Sequence, residues 1–417
     1  MMRSNNWTKT KLGDLVTLIN GRGFKSTEWS TQGLPIIRIS NLNGDIQFNF
    51  YLGDYEAKHL ITHGDLLFSW SGNRGTSFGP YIWKGQQGLL NQHIFKVTPK
   101  DNNIKHYLYQ LLKHLTSEIE KKAHGGSGLV HVRKSDLENY EIYLPSLEEQ
   151  QKIADILSSV DEAIEKTEAI IDQTETVKKG LMQQLLTRGI GHTEFKGTET
   201  GAIPTTWENV SLGDVIETLK AGVSVNSENR RTIKSELGIL KTSSVSDRVF
   251  NSDEHKAILP EEYTRAAVNP KKDHIIISRM NTPSLVGSSS YIDKDYPNLF
   301  LPDRLWQATV AHERVYPLWL SFILTWSNMR EKIGGIATGT SGSMKNISKQ
   351  AFLSLSICLP SLAEQKKIAG ILQSLDNRIS TEMNKVKMLK NLKSGLMGSL
   401  LTGKVRVHTD QPEEVLV

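Results

Sequence analysis

Basic and amide side chains recur at matching places in the two halves of this 417-residue chain, and together they have the chemistry to read a nucleic acid. Arg38 and Lys241 take corresponding positions on two strand-like runs, Leu34 to Ser40 and Ile239 to Ser243. Asn73 with Arg74, and Arg279 with Asn281, follow the next pair of corresponding strands. Gln92 with His93, and Arg304, come from a third shared slot. Lys134, and Lys345 with Lys349, border two glycine-rich loops, Gly125-Gly126-Ser127-Gly128 and Thr338 to Ser343. Arg and Lys suit phosphate oxygens, while Arg, Asn and Gln on loops can hydrogen-bond base edges in the major groove. A solvated polar loop accounts for any one of these residues. The repeated set points to DNA contact.

Chemistry of other kinds lacks its residues. No phosphate-binding loop, dinucleotide fingerprint, His-Glu-x-x-His or nucleophile elbow occurs, nor an Asn-Pro-Pro-Tyr type sequence of an amino-methyltransferase. The twelve histidines lie apart from carboxylates and cysteines at ligand spacing, so no metal site is expected. Cys358 is the sole cysteine; its alternating run Leu355 to Leu359 reads as a strand, and it suits a reducing compartment. A net charge of +5 permits a nucleic-acid partner without demanding one. No apolar run approaches the roughly 20 residues of a membrane span, and the N-terminal residues lack the apolar core of a signal peptide.

The elements that must hold these residues come in duplicate. Leu144-Pro145-Ser146-Leu147-Glu148-Glu149-Gln150 returns as Leu359-Pro360-Ser361-Leu362-Ala363-Glu364-Gln365, and both copies run to the same Gly-Leu-Met ending at Gly180 and Gly395. A second signal repeats out of phase: Trp7 with Leu12-Gly13-Asp14, then Trp207 with Leu212-Gly213-Asp214. The order is globule, helix, globule, helix.

After each proline, apolar residues step by three and four: Ile153, Leu157, Val160, Ile164 and Leu181 in one copy, Ile368, Leu372, Leu375, Ile379 and Leu396 in the other. That spacing predicts two long amphipathic helices, with the prolines in their first turns. Each would be roughly 60 Å long. A stripe of that length finds its partner most economically in the other copy, as an antiparallel coiled-coil-like pair that holds two globules apart. The globules read as short strands, Asp65 to Trp70 and Asp273 to Arg279 among them, followed by helices near Tyr107 and Leu318. A common frame carrying different polar loops is what two readers of two targets require.

The doubled Leu-Pro-x-Leu-x-Glu-Gln-x-x-Ile-Ala, the Pro204-Thr205-Thr206-Trp207 lead with its Leu-Gly-Asp, and the glycine-serine loops strongly resemble the specificity subunit of type I restriction-modification systems, over essentially the whole chain. The resemblance implies an α+β fold, with two mixed α/β target-recognition domains separated by two long helices that pair as an antiparallel coiled coil. It implies recognition domains over 1–143 and 191–358, helical spacers over 144–190 and 359–404, and a tail over 405–417. It implies a cytoplasmic, non-catalytic subunit that binds double-stranded DNA at a split site, one half per domain. Two methyltransferase subunits and restriction–translocase subunits would be its partners, directing adenine-N6 methylation and cleavage. S-adenosylmethionine, ATP and magnesium would sit on those partners, with no cofactor in this chain. The other class of function open to such a chain is an assembly scaffold that joins partners without reading DNA.

Overall fold

The computed structural model describes residues 7–73, 75–125, 129–198, 201–246, 248–339 and 343–407. Chain contacts divide into two compact units, one of residues 1–169 with 383–417 and one of residues 170–382. Two long helices, Leu147–Arg188 and Leu362–Leu400, each give one end to each unit. No helix among the described residues is long and apolar enough to cross a membrane.

In the first unit a four-stranded antiparallel sheet runs Val16–Asn20, Ile94–Pro99, Leu66–Ser69, Gly79–Ile82. Its third strand is apolar at successive residues because it is covered on both faces. Leu66 and Phe68 pack with Tyr107, Leu108 and Leu111 of the helix Lys105–Lys122, while Leu67 packs on the other side with Ile37, Trp83 and Leu90. A second sheet runs Asn49–Tyr51, Leu34–Ile37, Gly88–Leu90, Leu60–Ile61, with its central pair parallel.

The second unit repeats the plan. Ile216–Ala221, Leu305–Val310, His274–Ser278 and Ser289–Ile292 form an antiparallel sheet in the same order. Ile275 and Ile277 face the larger core with Trp319, Phe322 and Ile323; Ile276 faces the smaller one with Leu240 and Leu305. The second sheet keeps the strand Gly238–Leu240 antiparallel to His255–Ile258 and parallel to Leu299–Phe300. Here the fourth strand, Ser227–Glu228, joins at His255–Ile258, whereas in the first unit Leu60–Ile61 joins at the opposite edge.

Both long helices start the same way. The Ser146 and Ser361 hydroxyls accept the N–H of Glu149 and Glu364, each at 3.3 Å, and cap the helix. The Gln150 and Gln365 amides donate back to the carbonyls of Pro145 and Pro360, each at 2.9 Å. The prolines therefore precede the cap instead of opening the first turn. The glutamates do more than favour the helix dipole. Glu149, its side chain 1% exposed, receives Nε and a terminal nitrogen of Arg406 at 2.7 and 2.8 Å. Glu364 accepts the Ile190 N–H at 2.9 Å and the Trp207 indole N–H at 3.1 Å, with His192 Nε2 at 2.9 Å. Each helix-start carboxylate fastens the segment that trails the other helix.

Within each unit the two helix ends lie antiparallel. In the first, Lys393 reaches Asp161 at 2.5 Å and Lys390 reaches Glu168 at 2.7 Å. In the second, Lys178 pairs with Asp376, and Thr174 and Val177 line one cavity with Leu375 and Arg378. Asp161 and Asp376 are corresponding residues of the repeat, as are Lys178 and Lys393. Each pair thus takes its acid from one copy and its base from the other. Burial lowers the ammonium pKa of Lys393, against the pull of Asp161.

The apolar stripe also closes the globule cores. Ile153 and Leu157 pack with Met397, Leu400 and half-buried Leu396 in the first unit. Ile368 and Leu372 pack with Leu185, Leu186 and half-buried Leu181 in the second. Val160 and Ile164 are buried, and Leu375 and Ile379 half-buried.

Candidate nucleic-acid interface

One end of each central sheet gathers several of the polar residues singled out by spacing, and the same backbone hydrogen bonds build both ends. The Arg279 N–H donates to the Arg304 carbonyl at 3.0 Å, and the Ile347 N–H to the Arg279 carbonyl at 2.9 Å. In the first unit the Trp70 N–H donates to the His93 carbonyl at 3.1 Å, and the Val132 N–H to the Trp70 carbonyl at 2.9 Å. A third strand end closes the corner: Gly21 donates to the Ile94 carbonyl at 3.0 Å and Gly222 to the Leu305 carbonyl at 3.2 Å. A Cβ at Gly21 or Gly222 would fall 2.0 or 1.8 Å from a backbone oxygen, so close approach demands glycine at both corners. The second unit has one residue more between Leu-Gly-Asp and this glycine. A register shift between Ile216 and Thr218 absorbs it.

These bonds fix which residues correspond. Trp70 stands where Arg279 stands, His93 where Arg304 stands, and Gln92 where Asp303 stands. In the second unit Arg279 Nε donates to the Asp303 carbonyl at 2.8 Å, which lays the guanidinium against the turn that carries exposed Arg304. Asn281 pairs in register with Lys345, whose ammonium donates to the Gly339 carbonyl at 3.3 Å. The Asn281 amide donates to the Ser278 hydroxyl at 3.2 Å. Arg279, Asn281, Arg304 and Lys345 thus come together at one sheet end. Lys349 is exposed at the start of the short helix Lys349–Leu353.

The first unit assembles a different set at the same end. The Trp70 indole N–H donates to Asn20 Oδ1 at 2.9 Å, and the ring stacks on Phe95 and meets His93 edge-on, 5.0 Å between centroids. His93 holds a left-handed φ of 75° and is exposed, as is Gln92. Asn73 ends the strand Ser71–Asn73, exposed and paired with Leu129. Arg74 lies outside the described residues, as do 126–128 and 340–342 of the glycine-rich loops.

Arg38, Lys241 and Lys134 are engaged in other contacts. The run from Leu34 to Ser40 is not one strand: the strand ends at Ile37 and a short helix, Ile39–Leu42, begins with Arg38 as its cap residue. Asn41 Oδ1 takes the Arg38 N–H at 2.9 Å and so turns the chain out of the sheet. The Arg38 guanidinium stacks over Trp29 at 4.4 Å. Lys241 holds the corresponding cap position and lies 3.5 Å from Glu254. Lys134 pairs with Glu138 at 3.6 Å on an exposed helical turn.

Spacing alone passed over Arg22, Trp29 and Trp70. Arg22 lies over Phe24 and Tyr51, 4.9 and 4.7 Å from the ring centroids, and is ion-paired to Glu28. The signal that could have found them is the pair of corner glycines, which mark corresponding chain positions in both halves. Among the described residues no group of three or more His, Cys, Asp or Glu could hold a metal ion. Among the described residues the arrangement offers hydrogen-bond donors and flat rings at a sheet end.

A family profile described as type I restriction modification DNA specificity domain matches residues 4–176 and 204–391. The chain is 28% identical over 424 residues to the MjaVIII type I restriction enzyme specificity subunit of Methanocaldococcus jannaschii, covering 96% of this chain and 93% of that one. It is 20% identical over 423 residues to the EcoBI specificity subunit of Escherichia coli, covering 96% and 86%. In fold it resembles the crystal structure of the S subunit of a type I restriction-modification system from M. genitalium, with a TM-score of 0.62, 16% identity and coverage of 96% and 97%. A chain from a structural study of complex assembly and conformational transition in the type I system gives a TM-score of 0.52 at 16% identity, covering 97% of this chain and all of that one.

Proposed function

The chain belongs to the type I restriction-modification DNA specificity family, and from that premise we propose that it reads a split site in double-stranded DNA, one half through each recognition domain. One observation carries this reading: the same sheet end is built twice with the same backbone bonds, yet presents Trp70, Gln92 and His93 in one unit and Arg279, Asp303 and Arg304 in the other. A shared frame with divergent polar residues suits two different half-sites. Arg38, Asn73, Arg74, Lys134, Lys241, Asn281, Lys345 and Lys349 complete the proposed contact set.

In this proposal the chain performs no chemistry. Two methyltransferase subunits with S-adenosylmethionine place the adenine-N6 methyl groups, and restriction–translocase subunits with ATP and magnesium cut the DNA, all in the cytoplasm. The two helices, 42 and 39 residues long, set the number of unread base pairs.

The test is methylation mapping by long-read sequencing in cells that express this chain with its methyltransferase subunit. A methylated adenine in a split motif that disappears on deletion of this chain is the expected result. An active, complexed methyltransferase with no motif would leave an assembly scaffold instead. Adding one helical turn near Thr174 and another near Leu389 should change the spacing and leave both halves as they were.

A further inference from the structure

We infer that Arg279 and Arg304 together read a G·C pair, so that the half-site taken by the second unit contains at least one guanine whose selection depends on them. The inference rests on the DNA-reading function proposed above and goes further by naming the base and the residues that choose it.

Position comes first. Arg279 leaves the central strand His274–Ser278 with its N–H on the Arg304 carbonyl and its carbonyl on the Ile347 N–H. Its backbone is held from both sides, and Nε is fixed on the Asp303 carbonyl at 2.8 Å. A guanidinium tied through Nε has lost much of its rotational freedom while both terminal nitrogens keep their donors. That is the geometry that meets O6 and N7 of guanine with two parallel hydrogen bonds. Arg304 follows Asp303 on the same turn and is exposed. Two planar forks meet at this turn, one pre-set and one exposed, and each can make the paired hydrogen bonds that a guanine edge offers.

The other unit supplies the contrast. Trp70 and His93 hold the same backbone positions and offer no fork: the indole N–H is already on Asn20 Oδ1 and His93 lies edge-on to the ring. A role confined to attracting phosphate would favour a cation at these positions in both halves. The substitution of two arginines by two rings points to reading, with a different rule in each half.

Methylation mapping of the wild-type complex and of R304K and R279K complexes tests this. Lysine keeps the positive charge and removes the planar fork. The expected result is a wild-type motif with a guanine in one half, at which R304K or R279K lowers the preference about tenfold or more, with the other half unchanged. Arg304 is exposed, so R304K carries the test even where R279K disturbs folding. A split motif with no G·C pair in either half overturns the inference alone, as does one that both variants leave unchanged or weaken equally at every position. No split motif in the wild type overturns the DNA-reading function and this inference together.

Discussion

The two units share the apolar pattern of their covered strands and differ at their solvated end. Leu66-Leu67-Phe68 and Ile275-Ile276-Ile277 each fill the two cores of their own unit through the same alternation, because a strand buried on both faces tolerates little except apolar bulk. One hydrogen bond beyond those strands, Trp70 replaces Arg279 and His93 replaces Arg304. Nothing packs a rim residue from all sides, so its chemistry is free to change while its backbone is not. A duplicated frame can therefore diverge in what it reads without refolding.

Four measurements would break or sharpen this comparison, in falling order of effect. Truncation of the shared core should hurt both halves alike. Ile153→Ala and Ile368→Ala, each at a side chain with no exposure, should cost about 2–5 kcal/mol apiece in chemical denaturation. Strongly unequal losses would show that one unit leans on the stripe more than the other.

The helix-start carboxylates come next. Glu364→Ala strands the buried Trp207 indole N–H, whereas Glu149→Ala frees Arg406, already 44% exposed, to meet water. Each should cost about 1–3 kcal/mol, with the Glu364 variant the worse. Equal melting shifts in thermal scans would contradict that order.

The reciprocal ion pairs should show a smaller asymmetry. Lys393→Met should destabilise by about 1 kcal/mol more than Lys178→Met, because Asp376 keeps its ion pair with Arg248 whereas Asp161 is left with the Gln110 amide. Exchanging the charges, as Asp161→Lys with Lys393→Asp, should recover part of the loss. Urea titration of the single and double variants gives the coupling directly.

The slightest effect belongs to the exposed lysines. Lys134→Ala and Lys349→Ala should each reduce the salt slope of DNA binding by about one and leave the methylated motif as it was, as for phosphate contacts. A changed motif in either variant would move that lysine from the backbone to a base edge.

Much of this protein was legible before folding. Steps of three and four after Pro145 and Pro360 establish both long helices, since an amphipathic stripe is a local property of the chain. The doubled Leu-Pro-Ser-x-x-Glu-Gln establishes the duplication, and the family resemblance it carries implies the α+β plan. Local rules failed where two conformations compete over a few residues. Arg38 reads as strand because Ile36 and Ile37 do, but the Asn41 side chain takes its N–H and starts a helical turn. Pro145 reads as a first-turn residue, but Ser146 takes the cap.

Three features needed the tertiary structure. Glu149 meets Arg406, and Glu364 meets His192 and Trp207, across long stretches of chain. Asp161 finds Lys393 from the other copy of the repeat. Trp70 answers to Arg279 only through bonds made by His93, Arg304, Val132 and Ile347. Periodicity and capping act within a few residues, so a sequence carries them openly. Which distant carbonyl an N–H will find depends on strand register, and register is settled when the sheet buries a face against its core.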